Sequence, residues 1–233
     1  MKLSELKNAF LDFIYPKTCL ACEQQRLSEE DFICISCMIE LPKTNSHIHP
    51  IESLDRKFWG KIPISAIYSF LYYPKNSSIQ NIVYAIKYKN KPQMAEILGK
   101  WYSLDLKNAK IDENIDFIVP VPMFKAKQKA RGYNQAEEFA KGLQAGLGVE
   151  ILNETLIKTK STVSQTKTKS RFARFKNTEG VFEVCDNTHI KDKRILLVDD
   201  VLTSGSTLEE AGRALIAAGC KEVYIATIAA AVN

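Results

Sequence analysis

The chain has 233 residues, 45% hydrophobic and 25% charged, with 32 Lys plus Arg against 27 Asp plus Glu and a net charge of +5. That balance sits near the globular average and excludes disorder and fibrous repeats. No apolar run approaches the roughly 18 residues that cross a bilayer, and the length suits one ordinary domain with room for a small accessory module.

From the start of the chain, Leu3, Leu6, Phe10, Phe13 and Ile14 recur at helical spacing, which predicts an amphipathic helix with one packed face. Glu5, Lys7 and Asp12 stand where a secretory signal needs uncharged residues, so the expected compartment is the cytoplasm. Cys19-x2-Cys22 and Cys34-x2-Cys37 come next. A reducing compartment argues against a disulfide framework. Two adjacent knuckles can instead present four thiolates tetrahedrally, the arrangement of a structural zinc, with iron left open. Four protein ligands leave no vacancy for catalysis, and the metal would supply much of the folding energy of so small a module. His47 and His49 lie outside this set, and Cys185 and Cys220 read as small buried hydrophobes.

Residues 41–63 carry Pro42, Pro50 and Pro63 among polar residues and read as a linker. Ile64–Tyr73 predicts a strand. Ile79, Ile82, Val83 and Ile86 predict a helix ending near Asn90, and Met94, Ile97, Leu98 and Trp101 a second one after Pro92. The IDFIVPVP stretch predicts a strand ending in a proline-rich turn, residues 134–147 a helix, Glu150–Lys158 a strand, and VFEV a short segment. Arg194–Asp199 reads as a fully buried strand, Ser206–Ala218 as a helix, and Glu222–Ala229 as a final strand. Strands alternating with helices imply an α/β fold, a parallel sheet covered on both faces. Ligands in such sheets bind beyond the carboxyl ends of the strands.

Charge is unevenly distributed. Residues 1–60 sum to −2 and the remainder to +7, and Thr155–Thr178 holds Lys158, Lys160, Lys167, Lys169, Arg171, Arg174 and Lys176 with no acid. Such an arm suits an anionic partner, or else is a solvated loop.

The segment richest in chemistry is Ile195-Leu-Leu-Val-Asp199-Asp200-Val-Leu-Thr203-Ser204-Gly205-Ser206-Thr207, followed by a helix. The apolar strand delivers two carboxylates. The turn after it offers hydroxyls and backbone donors, and the helix N-terminus adds free N–H groups and a positive dipole end. This suits a phosphate monoester, with the glycine permitting close backbone approach. The carboxylates would repel phosphate and therefore suit vicinal sugar hydroxyls or a divalent cation. The GxxxxGK[ST] and GxGxxG loops of nucleotide sites are absent. Singly, each of these serines or aspartates would read as a helix cap or an exposed turn residue; their order at a strand end favours a ligand site.

That stretch resembles the signature of type I phosphoribosyltransferases, whose loop binds the 5-phosphate of phosphoribosyl pyrophosphate (PRPP) while two acids hold the ribose hydroxyls. The paired CxxC knuckles, Lys87-Tyr88, VPVP at 119–122, Arg131-Gly-Tyr-Asn-Gln135, and Gln165, Arg174 and Asn177 resemble the ComF family of competence-associated proteins, in that family's order over nearly the full length. The resemblance implies a type I phosphoribosyltransferase fold over 61–233 and an N-terminal zinc module with its linker over 1–60. It implies PRPP with Mg²⁺ at Asp199, Asp200 and Thr203–Thr207, with Lys87 and Arg131 as cations for the pyrophosphate. It also implies a part in DNA uptake beside a helicase-like partner and the inner membrane. Two alternatives remain open: turnover as a phosphoribosyltransferase with an acceptor the sequence does not identify, or a single-stranded-DNA adaptor using Arg171 and Arg174, interleaved with Phe172 and Phe175.

Overall fold

The structure, a computed structural model, describes residues 17–28, 31–159 and 180–232. The expected N-terminal helix and most of the basic arm, including Arg171 and Arg174, lie outside the described residues.

After the cysteine knuckles come α1 (Ile35–Ile39) and α2 (Glu52–Asp55), then β1 (Ala66–Tyr72), α3 (Ser78–Tyr88) and α4 (Pro92–Asn108). β2 (Phe117–Pro120) leads through α5 (Lys125–Arg131) and α6 (Gln135–Leu147) to β3 (Glu150–Ile151). β4 (Leu156–Lys158) and β5 (Phe182–Val184) precede β6 (Arg194–Leu202), α7 (Ser206–Ala217) and β7 (Glu222–Ala230). Five strands form a parallel sheet in the order β1-β7-β6-β2-β3, and β4 and β5 pair antiparallel in a separate ribbon.

Both faces of the sheet are buried, as the apolar strands require. Along β6 the pleat alternates: Leu196 and Val198 join one core with α3, α4 and α6, while Ile195 and Leu197 join the other with α7 and the ribbon. β2 leads onward to β3 and β6 to β7, in opposite directions along the sheet, so the boundary between β2 and β6 is its topological switch point.

Several expectations are met residue for residue. Pro92 opens α4, where its missing N–H costs nothing. Asn134 caps α6, its Oδ1 accepting from the Ala136 N–H at 3.1 Å, and Gly148 closes that helix in the left-handed region.

Others are corrected. Glu150–Lys158 is not one strand: β3 extends the main sheet and β4 turns away to pair with β5, because residues between them break the ladder. Residues 41–63 join the sheet instead of hanging free. Leu54 and Phe58 are buried in the α7-side core, Leu41 in the other, and the Thr44 and Ser46 hydroxyls bond to the Ser69 backbone along the edge of β1. Polar composition hid this because those polar groups pair with strand backbone. Cys185 is exposed just beyond β5, and Cys220 is only partly buried, its thiol pushed up to about 11 by desolvation.

Candidate functional site

β2 stops pairing with β6 at Val198, whereas β6 continues beside β7 to Leu202. Asp199 and Asp200 therefore stand on a strand that outruns its neighbour at the switch point, not on a loop. The pleat turns them to opposite faces, in step with the alternation of Ile195–Val198. Asp200 meets α3, where Lys87 Nζ lies 2.8 Å from its Oδ2. Asp199 lines a cavity of about 50 Å³ with Thr203, Ser204, Gly205, Ser206 and Thr207. The two carboxylates thus have different surroundings.

The turn into α7 has the shape expected of an anion cradle. Gly205 sits at φ +85°, a conformation L side chains rarely adopt, and a Cβ there would lie 3.2 Å from Phe58 Cζ. Ser204 Oγ and Ser206 Oγ are 3.1 Å apart, and Glu209 N–H already begins the helical ladder on the Gly205 carbonyl at 2.8 Å. The N–H groups of the first turn precede that ladder and have no intrahelical acceptor. Phe58, buttressing the turn from behind, is a residue that sequence spacing did not single out.

Desolvation of its carboxyl, reinforced by the Asp200 charge, pushes Asp199 up to about 7 against the pull of the Asp200 N–H, Lys87 and Lys158. Lys158, on β4, was read only as one of the arm's cations. Its ammonium lies 5.0 Å from the Phe182 ring centroid, and burial lowers its pKa while Asp199 and Glu210 oppose that shift. No spacing rule links Lys158 to Asp199, because the ribbon folds back over the sheet only in three dimensions.

The sign of the stability effect follows. An acid with a native pKa of about 7 and an unfolded value near 4 binds protons more tightly when folded. Stability therefore falls as pH rises from about 4 to about 7, and the penalty is complete above that. Asp199→Asn should raise the unfolding free energy by roughly 2–4 kcal/mol at pH 8 and leave it nearly unchanged at pH 4. Urea unfolding at the two pH values measures this. An equal change at both would show that Asp199 does not carry the shift.

The Arg131–Gln135 segment ties neighbouring elements to this edge. Gly132 ends α5 at φ +89°. The Tyr133 hydroxyl donates to the Ile86 carbonyl, next to Lys87, and Asn134 Nδ2 donates to the Val121 carbonyl at 3.0 Å. Arg131 stands over the Tyr88 ring at 5.3 Å and does not touch the carboxylates.

Some distance along the chain, the sulfurs of Cys19, Cys22, Cys34 and Cys37 all lie within 4.8 Å of one another. Four sulfurs at ~2.3 Å from a tetrahedral ion stand about 3.8 Å apart, so the set fits such an ion with small adjustment. The Cys34 N–H donates to Cys19 Sγ at 3.3 Å. The Gln25 and Gln24 N–H groups hold Cys22 down to about 6, whereas burial and neighbouring sulfurs raise Cys37. One thiolate forms readily and a second is resisted, which a cation would relieve. Among the described residues this is the cluster with metal-ligand geometry, and no histidine joins it.

The chain is similar to several known proteins. It is 29% identical over 148 residues to Competence protein F of Haemophilus influenzae, covering 62% of this chain and 64% of that protein. DNA utilization protein YhgH of Escherichia coli is 23% identical over 211 residues, covering 89% and 87%. Competence protein ComFC of Bacillus subtilis is 24% identical over 232 residues, covering 88% and 91%. The ComF resemblance is thus matched by relatives that carry that name. The profile of the phosphoribosyl transferase domain family matches residues 87–232, from Lys87 through the turn before α7 to the end of β7. The chain belongs to the phosphoribosyl transferase domain family.

Proposed function

We propose that the chain binds PRPP at the switch point and serves, as its relatives' names indicate for them, in the handling of incoming DNA. The observation that carries this reading is the Asp199 carboxylate sharing one cavity with the hydroxyl-rich turn at the start of α7. The 5-phosphate would be held by N–H and hydroxyl groups of Thr203–Thr207, and the ribose hydroxyls would donate to Asp199 and Asp200. Lys87 reaches this edge already, paired with Asp200. Together with Arg131 it would face the pyrophosphate. Mg²⁺ would accompany the diphosphate, and Asp199 and Asp200 are the hard oxygen donors suited to it.

The chemistry open to such a site is displacement of pyrophosphate at C1 of ribose. Lys87 and Arg131 would stabilise the charge growing on the leaving group. Such a site binds its ligand with or without turnover. The four cysteines would hold a structural zinc, the ion that an all-thiolate tetrahedral set prefers. We read residues 1–60 as the part of the chain that carries the metal site and 61–233 as the part that carries the sheet, the first packed into the cores of the second through Cys19, Cys34, Leu41, Leu54 and Phe58.

Calorimetric titration with PRPP and Mg²⁺ tests the site. Heat of binding is expected from the native protein and should vanish in the Asp199→Asn, Asp200→Asn variant, whose neutral amides no longer match the sugar hydroxyls and cation. A silent titration of the native protein would overturn the reading.

A further inference from the structure

Beside the cysteine knuckles the surface is apolar. α1, the short helix that carries Cys37, leaves Ile35, Met38 and Ile39 exposed at 73%, 42% and 75%. Ile35 and Met38 line a cavity of about 420 Å³ together with Leu27 and Phe32 and with Ile97 and Trp101 of α4. Ile97 and Trp101 stand one turn apart, on the face of α4 that also carries Met94. Large apolar side chains gathered at one place on a surface mark a site that something covers. The described residues begin at the rim of this groove. The Lys17 carbonyl accepts from the Leu27 N–H at 2.9 Å, and the Lys17 ammonium lies 4.9 Å from the Phe32 ring centroid.

We propose that residues 1–16, which precede Lys17 and lie outside the described residues, fill this groove with the apolar stripe of Leu3, Leu6, Phe10, Phe13 and Ile14. Each half supplies what the other lacks. The stripe is one face of an amphipathic helix and needs an apolar surface, and the groove is such a surface turned to water. Glu5 and Asp12 fall on the far side of the same helical pattern, so docking leaves both carboxylates in solvent. Pro16 disfavours helix at Tyr15, so a helix over residues 3–14 ends there and the chain turns back from the rim. A helix of that span is about 18 Å long, against about 10 Å of α4 between Met94 and Trp101. Attachment decides the occupant. A segment joined to the rim by so short a connection is presented at an effective concentration of roughly millimolar, which an untethered partner making equal contacts does not match. The inference does not rest on the proposed function.

Tryptophan fluorescence tests it. The tryptophans of the chain are Trp59 and Trp101, so in the Trp59→Phe protein the tryptophan emission comes from the groove alone. Leu6→Asp with Phe10→Asp, made in that background in the whole chain, should shift the Trp101 emission to longer wavelength and open the ring to acrylamide. A synthetic peptide of residues 1–16 added to this variant should restore the native emission, and the same peptide carrying Phe10→Asp should not. Ile35→Asp, at an exposed position on the groove wall, should weaken capture of the peptide about tenfold or more. Native emission in the Leu6→Asp, Phe10→Asp protein, or a peptide that leaves the emission of that protein unchanged, would overturn the inference. So would sedimentation of the native protein as a dimer and of the Leu6→Asp, Phe10→Asp variant as a monomer, since the segment would then fill the groove of a second copy.

Discussion

When a chelator removes the metal proposed for the four cysteines, residues 17–40 are expected to lose order and the melting temperature of the sheet to fall as well, by about 10 °C. The composition of a small knuckle module predicts the first loss alone. The packing predicts the second. Cys19 and Cys34 are buried in one core with Ile82 of α3 and with Met94, Ala95 and Leu98 of α4. Asn81 Nδ2 of α3 also donates to the Ala21 carbonyl at 2.9 Å. Unfolding the knuckles would expose that flank of both helices. If the exposed flank costs ~3–5 kcal/mol, then at roughly 2–4 °C per kcal/mol for a domain of this size the shift is about 10 °C. Calorimetry of metal-loaded and chelated protein, with hydrogen exchange along α3 and α4, measures both effects. An unshifted main transition would mean that the sheet does not lean on the metal module.

Gly142→Ala should cost about 2 kcal/mol of stability net, although alanine is the better helix former. α4 and α6 approach backbone to backbone where Gly99 meets Gly142. A Cβ on Gly142 would collide with the Glu96 carbonyl and stand 2.8 Å from Gly99 Cα, and one on Gly99 would collide with the Phe139 carbonyl. Those atoms belong to helix backbone and cannot swing aside. The propensity gain of alanine over glycine is ~1 kcal/mol, whereas overpacking a rigid contact costs up to ~3 kcal/mol, so the clash wins. Ala145→Gly on the exposed side of α6 provides the scale, with an expected loss near 1 kcal/mol from propensity alone. Urea midpoints for the two variants decide the matter, and a Gly142→Ala protein as stable as the native one would show that the helices separate freely. The same close contact lets α6 lie flat beneath α4, holding Asn134 at the end of β2.

Legibility varied with the range of the interaction. Local signals sufficed for β6, whose uninterrupted apolar run can only be a strand buried on both faces, and for α4 and α6, where Pro92 and Asn134 announce the first turns. The hydroxyl-rich turn before α7 and the paired cysteines were equally plain, since both are built from residues close in the chain. Composition misled for residues 41–63. Prolines and polar side chains there look like a free connector, yet Thr44 and Ser46 spend their hydrogen bonds on the backbone at Ser69. Glu150–Lys158 misled in the opposite way: its apolar residues fit one strand, but partners for the two ends lie in different sheets.

What the amino-acid sequence determined unaided was the chemistry available: four thiols spaced for one tetrahedral ion, two adjacent acids, and a small hydroxylated turn ahead of a helix. It could do so because each of these depends on neighbours within a few residues. Only the tertiary structure decided how that chemistry is divided. It sent Asp199 and Asp200 to opposite faces, set Lys87 2.8 Å from Asp200, and brought Lys158 of the ribbon near enough for its charge to act on Asp199. It buttressed Gly205 with Phe58 and laid Arg131 of α5 over the Tyr88 ring. These are contacts between residues far apart along the chain, and they exist only once the parallel sheet brings its strand ends to a common edge.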